Sequence, residues 1–351
     1  MKILVIALSG IGDALMYTPA LSLIRKHYRN STVDALVMYK GVADIYQRTG
    51  LIDNVLYFDF LKEGIANSYT YLSALKGKYE YSINVYPSNR REYNLIQWFI
   101  GAGKRAGVDY LRQGTSNLGF LNNVRIKEND SLHNVEENIL LTEKLLGFTD
   151  NEKPAMVFNI VQDDAQAAVQ ELTRLKIHPK DTIIGFHAGC STLKNHTKRR
   201  WEPEKFAELG KRLIRDNNAK ILLFGGPEES ELKNSILERI GMPEVFIPET
   251  QNLAQSAALI KICKAFVTND SSLMHVASSL KRNVVALIGP TNTSYIYPWQ
   301  TEHTIVSLNL PCAPCFFYSP KPLTCSRTDV QYKCIKELEV EQAYQAVKKY
   351  L

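Results

Sequence analysis

The sequence contains no long hydrophobic run. No stretch of its 351 residues approaches the roughly 18 consecutive apolar residues that a membrane-spanning helix requires. The apolar start, residues 2–8, is far too short, and no small-residue cleavage site of a signal peptide follows it. We therefore expect a cytoplasmic protein, with peripheral contact at the cytoplasmic face of the inner membrane left open as an option.

The sequence also lacks a strong charge imbalance and any low-complexity tract. The 42 Lys and Arg residues and 36 Asp and Glu residues give a net charge of +6, spread along the chain. This mild excess lies far below the basic footprint of a nucleic-acid binder, so nucleic acid is not expected as a partner. It fits an anionic ligand or an ordinary solvated surface equally well. The length exceeds what one hydrophobic core fills comfortably, so two domains are expected.

Cysteine is scarce outside one C-terminal segment. Two of the six cysteines, Cys190 and Cys263, are isolated, whereas the other four lie close together in the sequence: Cys312, Cys315, Cys325 and Cys334. In a reducing compartment such a cluster favours a structural zinc or iron site over a disulfide framework. The short spacing of the first pair is typical of a tetrahedral thiolate site. The wide spacing of the second pair leaves free or oxidisable cysteines as the alternative.

What the sequence does contain is an alternation of short apolar runs with segments of helical periodicity. The strand candidates are residues 2–8, 32–38, 53–59, 79–86 and 104–108, and then 181–187, 219–224, 244–247, 264–268 and 283–288. The helix candidates are residues 13–28, 41–48, 68–76, 90–101 and 133–146, then 203–215, 227–239, 253–262 and 271–280, and finally 336–350. Such alternation predicts parallel sheets covered by helices on both faces.

A turn-rich stretch near 147–160 separates two such series. We therefore expect an N-terminal domain at 1–155, a C-terminal domain at 156–335, and a last helix at 336–351, with packing back toward the N-terminal domain as one option. Both domains are expected to be Rossmann-like, doubly wound α/β folds that face a central cleft. Ligands of such folds bind in the loops after the carboxyl ends of the strands, so we expect the residues that carry chemistry in those loops.

The first such loop runs from Ser9 to Asp13. Gly10 and Gly12 permit a tight turn, but Leu15 occupies the third glycine position of a dinucleotide-binding fingerprint, which the sequence therefore does not support. Asp13 places a carboxylate at the expected cleft. A helix N-cap and a reactive carboxylate are the two interpretations of this residue.

In the second half, three loops carry polar groups suited to a diphosphate. The loop after His187 combines small residues with a run of cations, for which a solvated charge run is the plain alternative. In the next loop, Gly225 and Gly226 precede Glu228. The loop after residues 265–267 places Asp270 where it would cap the following helix. For His275 on that helix, a buried structural role is the alternative to ligand binding. The residues of interest in these loops are Gly189, Ser191, Lys198, Arg199, Glu228, Asp270, Ser271, Ser272 and His275.

Taken together, these loops resemble glycosyltransferase family 9, the ADP-heptose:lipopolysaccharide heptosyltransferases and their relatives. The resemblance rests on residues 8–15 with Thr18-Pro19, on His187-Ala188-Gly189 with the basic run into Trp201, on 225–228, on 269–275, and on 289–291. These motifs follow one another in the family's order over nearly the whole chain.

The resemblance implies a GT-B fold and inverting, metal-independent transfer of a sugar, by family default heptose from ADP-heptose, to a glycan or glycolipid acceptor such as a lipopolysaccharide core. The sequence itself contains no Asp-x-Asp, the motif with which other sugar transferases hold a divalent metal. No cofactor is then expected for catalysis, and cations of the protein must neutralise the departing diphosphate.

Roles for individual residues follow from the resemblance. Asp13 would be the catalytic base, and Arg90 and Arg91 would meet an anionic acceptor. Donor binding is expected from Gly12, Gly189, Ser191, Lys198, Arg199, Glu228, Gln251, Leu253, Asp270, Ser271, Ser272 and His275. Two departures concern the donor: Arg199 stands where the family usually has Lys, and Ser271-Ser272 where it usually has Thr-Gly. A nucleotide-sugar epimerase or hydrolase of the same fold and a non-catalytic nucleotide-sugar binding protein are the alternatives.

Overall fold

The chain folds into two compact α/β units. The computed structural model describes residues 1–178, 180–191, 193–318 and 321–351. The first unit comprises Met1–Asn159 together with Tyr318, and the second comprises Ile160–Phe317 and Lys321–Leu351. The boundary thus falls four residues later than the sequence suggests, and the last helix belongs to the second unit.

The first unit contains a six-stranded parallel sheet with the strand order β3-β2-β1-β4-β5-β6. Its strands are Lys2–Ala7 (β1), Thr32–Val37 (β2), Asn54–Tyr57 (β3), Tyr81–Asn84 (β4), Lys104–Asp109 (β5) and Val124–Lys127 (β6). This order is that of a Rossmann fold, in which the direction of winding reverses between β1 and β4.

Helices cover both faces of this sheet. They are Ile11–His27 (α1), Lys40–Thr49 (α2), Gly64–Ser73 (α3), Arg91–Ile100 (α4) and Asn134–Leu146 (α5). Leu4, Ile6 and Leu8 belong to a buried cluster with Leu72 of α3 and Ile100 of α4. The intervening residues of β1 point to the opposite face and are equally buried, so the sheet is covered on two sides.

The second unit repeats the same topology. Its six-stranded parallel sheet has the order β12-β11-β10-β7-β8-β9, so the winding reverses between β7 and β10. The strands are Thr182–His187 (β7), Ala219–Leu223 (β8), Val245–Phe246 (β9), Ala265–Asn269 (β10), Asn283–Leu287 (β11) and His303–Val306 (β12).

Eight helices accompany these strands within the described part of the second unit. They are Gln162–Arg174 (α6), Pro203–Asn217 (α7), Ser230–Ile240 (α8), Leu253–Ile260 (α9), Ser272–Ser279 (α10), Thr293–Ile296 (α11), Lys333–Lys336 (α12) and Val340–Lys348 (α13). Ala343 and Val347 of α13 lie in the same buried cluster as Trp201 and Phe206, so α13 packs in the core of this unit. No helix among the described residues has the length and apolarity needed to cross a membrane.

Candidate active site

A buried histidine joins two adjacent strand ends at the point of reversed winding in the second unit. His187, the last residue of β7, lies 2.8 Å by its Nδ1 from Ser271 Oγ and 3.1 Å by its Nε2 from Glu229 Oε2. Thr268 Oγ1 lies 3.0 Å from Ser271 Oγ. The network therefore fixes the orientation of the Ser271 hydroxyl at the edge where a doubly wound sheet binds its ligand.

The negative charge of Glu229 stabilises the hydrogen-bond network around His187. Burial opposes ionisation of Glu229, but the hydrogen bond from His187, the Arg200 guanidinium 3.7 Å away and the Gly226 N–H together lower its pKa. An ionised Glu229 can only accept a hydrogen bond, so it favours the imidazole arrangement in which His187 Nε2 carries the hydrogen. The sequence places His187 in a motif of the family resemblance without giving it a role, and it does not single out Glu229. Their pairing joins residues 42 positions apart.

The two loop glycines Gly189 and Gly225 are explained by their contact with Glu229. A Cβ at Gly189 would lie 1.6 Å from Glu229 Oε1, and Gly225 has a φ of +150°, which side-chain-bearing residues rarely adopt. Glycine at 189 is thus required for the approach of Glu229 to His187. Gly189 therefore has a packing role, and its contact with the sugar donor remains a prediction.

Arg199 is buried and forms an ion pair with Asp270. Its guanidinium also lies 3.4 Å from Thr291 Oγ1 and 4.7 Å from the centre of the Phe316 ring. Thr291 donates a hydrogen bond of 2.7 Å to Asp270. A cation held by a carboxylate, a hydroxyl and an aromatic face is pre-positioned for a second anion.

The expectation that Asp270 caps the following helix is wrong. The helix α10 begins at Ser272 with Ser271 at the N-cap, and Asp270 turns to Arg199 and Thr291 instead. An arginine in hydrogen-bonding distance outcompetes the backbone N–H groups for the carboxylate because the pair is charge-assisted.

His275 lies inside α10 and is buried. Burial lowers its pKa to about 4, although the charge of Asp270 acts in the opposite direction. The imidazole is therefore neutral at pH 7, and its Nδ1 has no hydrogen-bond partner among the described residues. His275 can therefore contribute to an anion site only as a neutral hydrogen-bond donor.

The other predicted donor residues lie along the same edge of the sheet. Ser272 is half-buried at the start of α10, and Leu253 is half-buried at the start of α9. Four more side chains of this set are exposed on the loops after β7, β8 and β9: Ser191, Lys198, Glu228 and Gln251. The structure thus places all of them on loops or helix starts that follow the strands, while their contacts with a donor remain predictions.

In the first unit, Asp13 lies three positions after the N-cap of its helix, at N3. Helix α1 begins at Ile11 with Gly10 at the N-cap, and Asp13 Oδ2 accepts a hydrogen bond of 3.2 Å from the Gly10 N–H. This is the second half of a capping box. Asp13 is half-buried next to Gly12, which is buried. Asp13 is therefore not the N-cap that the helix-cap interpretation expects, but one of its carboxylate oxygens accepts the N–H of the N-cap residue.

Three buried tyrosines lie within electrostatic reach of Asp13. Burial raises the pKa values of Tyr46, Tyr93 and Tyr110, and the charge of Asp13 adds to each effect. The positive charge of Arg90 lowers the pKa of Tyr93, so Arg90 and Asp13 act on the same phenol. Sequence reasoning missed these tyrosines, because each looks like an ordinary core residue.

The loops after β1 and β4 are joined directly. Ser9 donates a hydrogen bond of 2.7 Å to the Pro87 carbonyl, and the Ser88 N–H donates one of 2.6 Å to Tyr110 Oη. The Ser9–Pro87 contact brings the loop of Asp13 and the loop of Arg90 together at the point of reversed winding, and the Ser88–Tyr110 contact joins the latter loop to the residue after β5. Arg91 is exposed and pairs with Glu92 at 3.2 Å, so its role toward an acceptor remains a prediction.

Buried carboxylates lie near the Tyr86–Tyr110 ring pair in the same unit. Glu128 accepts hydrogen bonds from Tyr86 Oη at 2.9 Å and from the Leu111 N–H at 2.8 Å. Glu137 accepts one from the Asn129 N–H at 2.5 Å. Burial raises the pKa of Glu137 to about 7, and the charge of Glu128 adds to the effect.

We expect Glu137→Gln to stabilise the protein more at pH 8 than at pH 5. The folded-state pKa of Glu137 is raised from 4.5 to about 7, so stability falls as the pH rises through that window. Glutamine keeps an acceptor for the Asn129 N–H and removes the buried charge. The gain at pH 8 should be on the order of 1–3 kcal/mol, measured by thermal unfolding at both pH values. An equal effect at both values, or an equal pH dependence for Glu136→Gln, would contradict the assignment.

The four C-terminal cysteines share one neighbourhood in the second unit. Burial raises the pKa of Cys334 to about 11, and the charges of Cys315, Cys325 and Cys312 add to it. Within the described residues, however, no group of three or more His, Cys, Asp or Glu side chains is arranged to hold a metal ion. The other three cysteines thus lie within electrostatic range of Cys334, and the metal remains a proposal.

The chain is similar over its full length to known sugar transferases. Lipooligosaccharide heptosyltransferase 2 of Campylobacter jejuni is 26% identical over 359 residues, which covers 99% of this chain and 99% of the relative. Lipopolysaccharide heptosyltransferase 2 of Escherichia coli K12 is 27% identical over 322 residues, which covers 88% of each chain. The solved structure of the Escherichia coli ADP-heptose LPS heptosyltransferase II superposes with a TM-score of 0.76 at 21% identity, covering 100% of this chain and 98% of that one.

Two Rossmann-like units with polar loops at their points of reversed winding, together with these relatives, define a glycosyltransferase of the GT-B type. The model of glycosyltransferase family 9 (heptosyltransferase) matches residues 73–323. The chain belongs to this family.

Proposed function

We propose that the chain transfers heptose from ADP-heptose to the core of a lipopolysaccharide or lipooligosaccharide. The observation that carries the proposal is the full-length similarity to heptosyltransferases that act on these glycans. It is supported by the position of Asp13 after the first strand of one unit and of the Arg199–Asp270 pair at the strand ends of the other.

The proposed reaction is a direct displacement with inversion. An acceptor hydroxyl oxygen forms a bond to the anomeric carbon while the bond from that carbon to the donor phosphate breaks. Asp13 takes the hydroxyl proton, and the bonding electron pair leaves with ADP. The Gly10 N–H donates a hydrogen bond to Asp13 Oδ2 and so orients the carboxylate at the start of α1.

The charge on the departing diphosphate requires donors that are fixed in advance, since we propose transfer without a metal. Arg199, Lys198 and the N-terminus of α10 with Ser271 and Ser272 would supply them. The network of His187 and Glu229 holds the Ser271 hydroxyl in place for this purpose.

The remaining donor contacts follow from position in the fold. The exposed Glu228 would accept hydrogen bonds from the ribose, and Gln251 and Leu253 would border the base. Gly12, Gly189, Ser191 and the neutral His275 would complete the site. On the acceptor side, Arg90 and Arg91 would meet anionic groups of the glycan, with the enzyme at the cytoplasmic face of the inner membrane.

A thermal-shift comparison of ADP-heptose with UDP-, GDP- and dTDP-sugars tests the donor. A ligand present at 100 times its Kd stabilises the fold by about 2.7 kcal/mol, which is easily measured. We expect the largest rise in Tm with ADP-heptose. A larger rise with another nucleotide-sugar would overturn the choice of donor, and the residues at 251–253 would then be the first to re-examine.

We further propose that Cys312, Cys315, Cys325 and Cys334 bind one structural zinc or iron ion. The Tyr332 N–H lies 3.2 Å from Cys325 Sγ, and Arg327 Nη1 lies 3.6 Å from Cys312 Sγ. Such donors stabilise thiolates over thiols and are typical of the surroundings of a metal-bound sulfur. Four thiolates form a closed shell with no open position, so the ion would stabilise the segment without taking part in transfer.

The test is elemental analysis of protein purified under reducing conditions, with Cys312→Ser/Cys315→Ser and a matched Cys190→Ser variant. We expect about one equivalent of zinc or iron in the wild type and in Cys190→Ser, and its loss in the double variant together with a lower Tm. Less than about a tenth of an equivalent of metal, with unchanged stability of the double variant, would leave ordinary cysteines.

A further inference from the structure

Helices α3 and α4 of the first unit present an unusual number of exposed apolar side chains. Leu72 is the only buried residue that the structure assigns to α3. Ile65 is 91% exposed, and Trp98 of α4 is 53% exposed. We refer to Leu61, Ile65, Tyr69, Leu95 and Trp98 as the α3–α4 face; all are large hydrophobic residues and all are exposed.

These side chains form one surface. Ile65 and Tyr69 are four residues apart on α3, and Leu95 and Trp98 are three apart on α4, so each pair shares a side of its helix. The Tyr69 ring lies 5.4 Å from that of Phe99, which adjoins Trp98. The two helices therefore lie side by side with their apolar residues facing outward. An exposed patch of this kind marks an interaction site.

The surroundings of the α3–α4 face are basic. The segments 59–80 and 90–105 carry seven Lys and Arg residues against four Asp and Glu residues. Lys62 is 84% exposed, and Lys76 lies with its Nζ 5.5 Å from the centre of the Phe99 ring. Apolar side chains within a basic rim match an anionic lipid surface, where Lys and Arg are attracted to headgroups while apolar groups enter the interface.

The residue types favour a bilayer over a protein partner. Trp and Tyr concentrate at the membrane–water interface, where one end of the ring is apolar and the other is hydrated. Interfaces between proteins are depleted in Lys, which is frequent here. Leu72 is the buried residue of α3, and Ile65 is 91% exposed, so packing in the core does not account for the apolar side chain at position 65.

We propose that the α3–α4 face docks the protein on an anionic lipid bilayer. This inference extends the proposed function, whose acceptor is a lipid-linked glycan, by naming the surface through which the enzyme would reach it. The face lies on the same unit as Asp13 and Arg90, the residues assigned to the acceptor.

The test measures co-sedimentation of the full chain with vesicles of phosphatidylethanolamine and phosphatidylglycerol, compared with phosphatidylcholine vesicles. The variant is Ile65→Asp/Trp98→Asp, and the matched control is Val169→Asp, because Val169 is 60% exposed on α6 of the other unit. We expect wild type and control to bind anionic vesicles about tenfold more strongly than neutral ones, and the double variant to lose most of that binding.

Absence of wild-type binding, or equal binding by the double variant, would overturn the proposal. A wild-type dimer that the double variant abolishes, without vesicle binding, would assign the face to a second copy of the chain. Transfer to a water-soluble, delipidated acceptor is measured in parallel. The double variant should retain it, since no catalytic residue is changed, and failure of the wild type there would contradict the proposed function and leave the vesicle result to stand alone.

Discussion

Asparagine in place of Asp13 should lower kcat by a factor on the order of 10²–10⁴ and leave donor affinity nearly unchanged. The carboxamide cannot take the proton of the acceptor hydroxyl. Its oxygen still accepts the Gly10 N–H, so the start of α1 should remain folded. Turnover, the Kd of the donor and the Tm of the variant are the three quantities to measure.

The chain offers a matched control for this substitution. Glu136 occupies the same N3 position in α5 and accepts the His133 N–H at 3.2 Å, the same capping-box contact that Asp13 makes in α1. Glu136→Gln should therefore resemble Asp13→Asn in stability and keep full turnover. Near-normal turnover of Asp13→Asn would reduce Asp13 to a capping residue.

Alanine in place of Arg199 should weaken binding of the free nucleoside diphosphate by about tenfold to a hundredfold, and affect the bare nucleoside less. Charge-assisted hydrogen bonds contribute about 1.5–3 kcal/mol each, which sets this range. The same change leaves Asp270 buried without its partner, at an expected loss in stability of about 3–5 kcal/mol. Calorimetric titration of both ligands, with thermal unfolding, gives the two effects separately.

A second variant separates binding from folding. Arg199→Met/Asp270→Asn removes both charges, and replacing both partners of a buried pair is far less destabilising than removing one. We expect this double variant to recover stability without recovering diphosphate affinity. Recovered affinity, or an equal loss for nucleoside and diphosphate, would place Arg199 away from the phosphates.

Much of the fold could be predicted from the sequence, and the missing parts have physical reasons. All ten predicted strands are present. Eight of them are central strands, which are covered on both faces, whereas β3 and β9 lie at sheet edges. The strands β6 and β12 were missed. Each is a four-residue strand at a sheet edge and contains as many polar as apolar residues, so no apolar run marks it in the sequence. Helix α6 was also missed, since only a few apolar residues mark its buried side.

The sequence predicts which loops form the site, but it does not predict which side chains pair with one another there. Glycines and polar residues after strands indicate where a ligand binds. They do not show that Arg199 meets Asp270 across 71 positions, or that Glu229 rather than Glu228 is the buried partner of His187. Such pairs depend on which strands are neighbours in the sheet, and a single sequence contains no signal for that order.

The measurement that tests the central claim is mass spectrometry of products after incubation with ADP-heptose, with and without a heptose-deficient lipopolysaccharide acceptor. The account predicts that ADP is released only when the acceptor is present, and that the acceptor gains the mass of one heptose residue. Consumption of the donor without acceptor would indicate a hydrolase or epimerase, and binding of the donor without any turnover would indicate a non-catalytic protein; either result would contradict it.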